Sequence, residues 1–156
     1  MPTEDQDSLP EDLPALLAGR HGVPGRLLGP RVLDRDGDGR PRSHHVRAFL
    51  PTAKRAWLVA ADPAGSRISQ PMRRTHPSGM YETILLADPS AGPGSLPRYA
   101  IRIDDGSGDR HDFHDPYAFP TMLTDYDLHL LGEGRHWKSY QKLGAQIRSI
   151  DGVNGV

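Results

Sequence analysis

The sequence predicts an all-β protein, an immunoglobulin-like antiparallel β-sandwich with a short N-terminal helix and a C-terminal linker that contains a helix. Between positions 22 and 119, short apolar runs are bounded by Gly, Pro and Asp at the spacing of sandwich strands. No helical pattern of crossover length separates these runs, so antiparallel strands are expected. The 156 residues suit one domain with tails, since a domain of about 100 to 150 residues can bury a real core.

The first 19 residues are expected to precede the sandwich. Positions 1–10 are polar and interrupted by Pro, so they lack the apolar area that would offset the entropy of ordering, and we expect disorder there. Leu13, Leu16 and Leu17 then fall at helical spacing, and Gly19 can end a helix. Positions 11–18 therefore predict a short helix, with a turn that docks against the domain as the alternative.

Alternation of apolar and polar residues marks the strands of the predicted domain, residues 20–120. The runs 46–50, 80–86 and 98–104 alternate with a period of two, as half-buried strands do. Residues 55–60 are almost continuously apolar, which predicts a central strand covered on both faces. The domain should therefore contain both edge and central strands.

Two acidic, Gly-containing loops are predicted to be turns. Asp104-Asp105-Gly106 predicts a hairpin, because Asp-Gly accepts the positive φ values that hairpins need, and residues 110–113 would return as a strand. The segment from Asp34 to Gly39 places carboxylates and Gly as the first half of a calcium loop does. The second half lacks the required Glu, since position 12 is His45, so we interpret it as a charged hairpin turn.

Composition and charge exclude several classes of function. The net charge is −1 and the charged residues of both signs are interleaved, which argues against a nucleic-acid partner. The chain has no Cys, so a disulfide, a thiolate metal site and a Cys nucleophile are excluded. No apolar run approaches the roughly 18 residues that span a bilayer, and Met1 to Asp7 carry no signal pattern. We expect a cytoplasmic protein with no membrane partner and no cofactor.

No metal site is predicted from the histidines. His44 and His45 are adjacent, and adjacent residues of a strand point to opposite faces, so they cannot hold one ion. His111 and His114 differ by an odd spacing and face opposite sides for the same reason. We interpret all four as solvated side chains.

The residues after position 113 form an unusually specific connector. D-P-Y-A-F-P (115–120) is followed by Y-D-L-H-L-L-G-E-G-R-H (126–136) and by D-G-V-N-G-V (151–156). These segments resemble those of the glycogen branching enzymes, in which D-P-Y-x-F-P closes the first sandwich domain and D-G-V-x-G-V opens the next module. L-G-P-R (28–31) and V-R-A-F-L-P-T-A (46–53) are similar to that family too, although Arg31 and Gln146 stand where the family has His.

The resemblance covers roughly residues 20–156 and implies the amino-terminal β-sandwich domain of a 1,4-α-glucan branching enzyme of glycogen biosynthesis. Such domains are related to the carbohydrate-binding modules that precede amylase-type barrels. A complete barrel needs about 250 residues, so the catalytic part is expected to be absent from this chain. The implied partners are α-glucan or glycogen, a following sandwich module and the catalytic barrel.

In such an enzyme, this chain would act as a scaffold, control the length of the glucan chains and bind glucan weakly. It would not catalyse the reaction alone. Glycosyl transfer by a retaining enzyme needs two carboxyl groups about 5 to 5.5 Å apart, and the acidic residues here cluster in turns. We therefore predict no catalytic residue. The alternatives are a free-standing glycan-binding or adaptor module and an interdomain spacer without a ligand.

Sugar binding needs aromatic faces with polar neighbours, and Trp57 and Trp137 are the two tryptophans of the chain. Trp57 lies in the most apolar run, so core packing is preferred over glucan contact. Trp137, Tyr140, Leu143 and Ile147 form a helical stripe within the predicted linker, residues 121–156. A short helix over 137–143 is expected to lie on a neighbouring domain, with sugar contact by Trp137 as the alternative.

Two short segments are interpreted as structural. Asp115-Pro116-Tyr117 predicts a clasp that closes the domain, because Asp can accept a hydrogen bond from the following backbone and Tyr can fold back on the last strand. Tyr126-Asp127-Leu128 is interpreted as part of an extended linker.

Overall fold

A computed structural model describes residues 11–61, 66–88, 97–119, 123–150 and 153–155. The expected disorder of positions 1–10 lies outside the described residues. The chain divides into two compact units, Met1–Phe119 and Pro120–Val156. No helix among the described residues has both the length and the apolar character that crossing a bilayer requires.

The first unit is an antiparallel β-sandwich, as predicted. Its described strands are β1 (Gly29–Arg35), β2 (Pro41–Phe49), β3 (Arg55–Ala61), β4 (Arg67–Pro71), β5 (Arg73–His76), β6 (Met80–Leu86), β7 (Tyr99–Asp104) and β8 (Arg110–His114). The first sheet has the order β1-β2-β6-β5, and the second sheet has the order β4-β3-β7-β8. All pairs are antiparallel, and the predicted turn at 104–108 joins β7 to β8.

The inner faces of the two sheets form the core. Strands β2, β3, β6 and β7 contribute alternate residues, so the period-two pattern of the sequence is confirmed for them. The cluster contains Val46, Ala48, Tyr81 and Leu85 from the first sheet and Ala56, Leu58, Ala60, Tyr99 and Ile101 from the second. Leu58 and Val46 have no exposed surface, which places the centre of the core between β2 and β3.

The N-terminal segment covers part of the outer face of the first sheet. Helix α1 (Leu13–Leu17) and a 3-10 helix (Pro24–Arg26) bring Leu13, Leu27 and Leu28 onto Met80. The residue Gly19 follows the helix at φ 66°, a conformation that favours Gly. The prediction of a short helix is therefore confirmed for residues 13–17, and this helix packs against the domain.

The second unit contains helix α2 (Asp125–Gly132), a 3-10 turn (Ser139–Gln141) and an antiparallel pair of short strands, β9 (Arg148–Ile150) and β10 (Val153–Gly155). Two predictions were wrong here. Residues 126–128 are helical and not extended, because Thr124 and Asp127 form a capping box that begins α2. Residues 137–143 form a single 3-10 turn in place of a helix, and no side chain caps its beginning.

Candidate functional site

The clasp predicted at Asp115-Pro116-Tyr117 is present in the first unit. Asp115 is 2% exposed and accepts two hydrogen bonds, from the Tyr99 hydroxyl at 2.6 Å and from the Tyr117 backbone N–H at 2.9 Å. Burial, and then the hydrogen bond to Asp115, raises the pKa of Tyr99. The phenol therefore stays protonated and acts as a permanent donor.

Tyr117 completes the clasp by contacting β1 at Gly29. Gly29 has φ 85°, and a Cβ there would lie 2.6 Å from the Tyr117 carbonyl oxygen and 2.7 Å from its Cβ. The clasp thus joins β8 of the second sheet to β1 of the first sheet, because Asp115 follows β8 directly. This is a structural role, since the two carboxylate oxygens of Asp115 are occupied by hydrogen bonds within the domain.

Trp57 lies on the outer face of the second sheet, so the expectation that it packs in the core was wrong. Its strand neighbours Ala56 and Leu58 face the core, and alternation turns Trp57 the other way. The ring is half-buried. The guanidinium carbons of Arg110 and Arg55 lie 5.0 Å and 5.6 Å from the ring centroid, within the range of cation-π contact.

A network of ion pairs lies beside Trp57 on the outer face of the second sheet. Arg102, the β7 partner of Trp57 in the sheet register, donates two hydrogen bonds to Asp112, at 2.6 Å and 2.8 Å. Arg67 donates a third, at 2.6 Å. Beside this network, on the same face, Arg55 donates a hydrogen bond to the Asp104 carboxylate at 2.6 Å. We call Trp57, Arg55, Arg102, Arg110 and Asp112 the outer-face surface.

The carboxylates of this surface are held in ion pairs with arginines. The hydrogen bond from Arg102 lowers the pKa of Asp112, and the hydrogen bond from Arg55 lowers the pKa of Asp104. Carboxylates held ionised by arginines cannot donate a proton near neutral pH. An aromatic ring edged by hydrogen-bonding groups instead suits a ligand with C–H faces and hydroxyl rims.

The histidines occupy the positions that strand alternation predicts. His44 was wrongly interpreted as solvated, because it is 3% exposed on the inner side of β2, and burial lowers its pKa. His45 lies on the outer side, where its Nε2 is 3.1 Å from Glu82. His111 pairs with the inner-facing Ile103 and His114 with Ala100 on the other face. Within the described ranges, no group of three or more potential ligands could hold a metal ion.

The calcium-like segment is a charged hairpin turn between β1 and β2. Oδ1 of Asp36 accepts hydrogen bonds from the backbone N–H groups of Asp38, at 3.0 Å, and Arg40, at 2.8 Å. Gly39 has φ 77°. The carboxylate that would bind calcium is therefore used to close the turn.

In the second unit, Trp137 lines a pocket of about 360 Å³ together with Tyr126, Leu130 and Lys138. The Trp137 side chain is 90% exposed. The predicted stripe of Trp137, Tyr140, Leu143 and Ile147 is not a helical face, but all four residues are exposed. Trp57 and Trp137 thus lie in different units.

A buried polar cluster, which the sequence analysis missed, supports this pocket. Asp127 accepts hydrogen bonds from Lys142 at 2.9 Å and from the Thr124 hydroxyl at 2.7 Å, and its Oδ1 lies 2.9 Å from Nε2 of His136. The hydrogen bonds from Lys142 and then from Thr124 hold the pKa of Asp127 well below its usual range. The Thr-x-x-Asp capping box was the one signal in the sequence that could have indicated it.

The fold is that of a β-sandwich module, with one aromatic surface on a sheet and another on a trailing segment. The family model described as "alpha-1,4-glucan branching enzyme GlgB, N-terminal domain" matches residues 9–117. The chain belongs to this family, as the resemblance of its connector implied.

Relatives support the same assignment. The chain is 40% identical over 149 residues to "1,4-alpha-glucan branching enzyme GlgB" of Rhodopseudomonas palustris (strain BisA53), covering 96% of this chain and 18% of that protein. It is 37% identical over 145 residues to the enzyme of the same name from Paramagnetospirillum magneticum, covering 93% and 17%. The chain thus spans less than a fifth of these two relatives.

Solved structures show a weaker likeness. The pullulanase from Paenibacillus barengoltzii is 18% identical with a TM-score of 0.38, and the alignment covers 63% of this chain and 15% of the pullulanase.

Proposed function

We propose that this chain acts as the N-terminal accessory module of a longer cytoplasmic 1,4-α-glucan branching enzyme. In that enzyme a separate catalytic barrel would cleave an α-1,4 glucan and transfer the segment to a 6-hydroxyl. The module would supply scaffold, influence the length of the transferred chain and hold α-glucan weakly. Its partners would be glucan or glycogen, a following sandwich module and the barrel.

The observation that carries the glucan contact is the outward position of Trp57. A Trp in the most apolar strand of a sandwich is expected inside, where it gains the most from burial. Here it stays half-buried on the outer face, among side chains that can form hydrogen bonds. A ring kept at the surface is available to a ligand.

The outer-face surface fits a pyranose in two ways. The C–H patch of a sugar ring packs on an indole, and its hydroxyl edge can bond to arginine and carboxylate groups. Arg102 and Asp112 satisfy each other without a ligand, so binding would exchange existing hydrogen bonds and not gain new ones. Weak, repeated contact along a long glucan is therefore expected, with strength arising from many binding events on one polymer.

Affinity electrophoresis in a glycogen-containing gel tests this proposal on the chain itself. Wild-type protein should be retarded, and Trp57→Ala should remove most of the retardation. Leu86→Ala is the matched control, because Leu86 is 78% exposed at the end of β6, on the other sheet. Equal retardation of wild type and Trp57→Ala, both folded by circular dichroism, would contradict the assignment of glucan contact to Trp57.

A further inference from the structure

The outer face of the first sheet carries a cluster of basic side chains around one buried carboxylate. Glu82 of β6 is 8% exposed, although this face lies outside the core. The sheet register places Arg47 of β2 on one side of Glu82 and Arg73 of β5 on the other. Arg31 of β1 is opposite His45, which shares this face of β2 with Arg47. We call Arg31, His45, Arg47, Arg73 and Glu82 the basic cluster.

The hydrogen bonds of Glu82 fix one part of the basic cluster. Its Oε1 accepts a hydrogen bond from Arg73 at 2.6 Å, and its Oε2 accepts one from Nε of Arg47 at 3.3 Å. Nε2 of His45 lies 3.1 Å from the same Oε2. The Arg47 side chain is 14% exposed, so its guanidinium is held in place before any ligand arrives, which lowers the ordering cost of binding.

Glu82 does not account for all the positive charge of the basic cluster. Arg31 is exposed and forms no hydrogen bond or ion pair with any other residue in the described ranges. Arg47 uses Nε on Glu82, and its two terminal nitrogens donate to no residue that the structure describes. Burial, and then the charge of Arg47, lowers the pKa of His45, so its imidazole is neutral near pH 7. A purely structural ion pair would need neither Arg31 nor the terminal nitrogens of Arg47.

The positions of Arg31 and Arg47 suit a ligand with several anionic oxygens. They are diagonal neighbours on one face of an antiparallel pair, and such neighbours have Cβ atoms about 7 to 8 Å apart. Two guanidinium groups at this separation repel each other, and a dianion between them would remove the repulsion. The planar fork of an arginine matches phosphate oxygens two at a time, so phosphate fits these donors well.

We propose that the basic cluster binds a phosphate monoester, with Arg31 and Arg47 as the groups that contact its oxygens and Glu82 as the residue that positions Arg47. This site is separate from the proposed glucan surface, which lies around Trp57 on the other sheet. The phosphate group could belong to a free sugar phosphate or be carried by a glucan. Both sources present nearly two negative charges to the arginines at neutral pH.

Isothermal titration calorimetry with inorganic phosphate at constant ionic strength tests the proposal on the chain itself. The wild-type chain should bind phosphate saturably, and Arg31→Gln should weaken binding at least about tenfold, the effect of losing one hydrogen bond to a charged group. Arg31 is exposed, so this variant should fold normally, which circular dichroism checks. Arg42→Gln is the matched control. It removes the same charge at the start of β2, where Arg42 lies 4.0 Å from Asp34, and should leave the affinity unchanged.

Three outcomes would overturn the proposal: no saturable binding at millimolar phosphate, equal affinities of wild type and Arg31→Gln, or equal losses in Arg31→Gln and Arg42→Gln. Two others uphold the site and identify the source of the phosphate. Tighter binding of glucose 6-phosphate than of inorganic phosphate would indicate a free sugar phosphate. Tighter binding of phosphorylated glycogen than of the same glycogen after phosphatase treatment would indicate a glucan phosphate. Trp57→Ala should bind phosphate as wild type does, so the glucan surface is tested separately.

Discussion

Replacing Gly29 with Ala tests the contact between the clasp and β1. The new Cβ would lie 2.6 Å from the carbonyl oxygen of Tyr117 and 2.7 Å from its Cβ, and neither atom can rotate away. Adopting φ 85° costs an L-residue about 1 to 2 kcal/mol, and relieving an overpacked contact costs about 1 to 3 kcal/mol. The expected loss of unfolding free energy is therefore about 2 to 5 kcal/mol.

Such a loss is large against the roughly 5 to 15 kcal/mol by which a domain is stable. The midpoint of thermal unfolding should fall by about 8 to 20 °C in a domain of this size. Urea unfolding followed by circular dichroism measures the free energy directly, and thermal unfolding supplies the second reading.

Gly19→Ala is the matched control for this variant. Gly19 has φ 66°, but a Cβ there would meet nothing within 4 Å, so it shares the conformational cost and lacks the clash. The reduced entropy of the unfolded chain is common to both Gly to Ala changes and cancels in the comparison. If the two variants lose the same free energy within about 0.5 kcal/mol, Tyr117 does not press on Gly29 as described.

Two further variants test the ionic and hydrogen-bonded contacts of the first unit. Tyr99→Phe removes the 2.6 Å donor to buried Asp115 and should cost about 1.5 to 3 kcal/mol in urea unfolding, whereas a loss below about 0.5 kcal/mol would show that the clasp does not depend on this bond. The pKa of Asp112 is lower in the folded state than in the unfolded state, so the unfolded state binds a proton first as pH falls. The stabilisation by the Asp112 ion pair is therefore complete above the unfolded pKa of about 3.9 and declines as pH falls below it. Asp112→Asn should therefore show a shallower loss of stability between about pH 5 and 3 than wild type, and parallel curves would contradict the ion pair.

The sandwich was predictable because burial on one side of a strand imposes a period of two. In β2, Val46 and Ala48 alternate with Arg47, and the structure places the apolar pair inside. Which strands share a sheet was not predictable in the same way, because β2 pairs with β6 and β3 with β7 through contacts distant in sequence. Alternation fixes the face of a residue but not the identity of its neighbour strand.

The position of Trp57 was mispredicted for a physical reason. Residues 56–60 are all apolar, so the sequence of β3 carries no alternation that would assign its two faces. The face is decided by the partner strands, where Leu58 is opposite Ile101 in the core and Trp57 is opposite Arg102 outside. The charged guanidinium of Arg102 must stay in contact with solvent. Trp57 lies opposite it on the same face of the sheet, so the indole lies on the outer face as well.

The second unit differed from expectation because local capping outweighed the apolar pattern. The stripe from Trp137 to Ile147 predicts a helix, but Lys138, before the 3-10 turn, caps no backbone group with its side chain, and Gly144 takes φ 85°. Thr124 and Asp127, by contrast, satisfy the first turn of α2 and start a helix where an extended linker was expected. An apolar stripe without a capping residue or a packing partner gains too little free energy to offset the unfavourable nucleation of a helix.

The two tryptophans point to different kinds of contact because their surroundings differ. Trp57 is edged by guanidinium groups that remain hydrated, so a ligand can leave its surface without exposing a large apolar area to water. Trp137 is accompanied by exposed aliphatic and aromatic side chains, and uncovering such a surface costs free energy in proportion to its area. Reversible contact with a hydrated polymer therefore suits the first surface. The hydrogen bonds of Asp127 hold the residues around Trp137 in place, so covering the second surface would need little rearrangement.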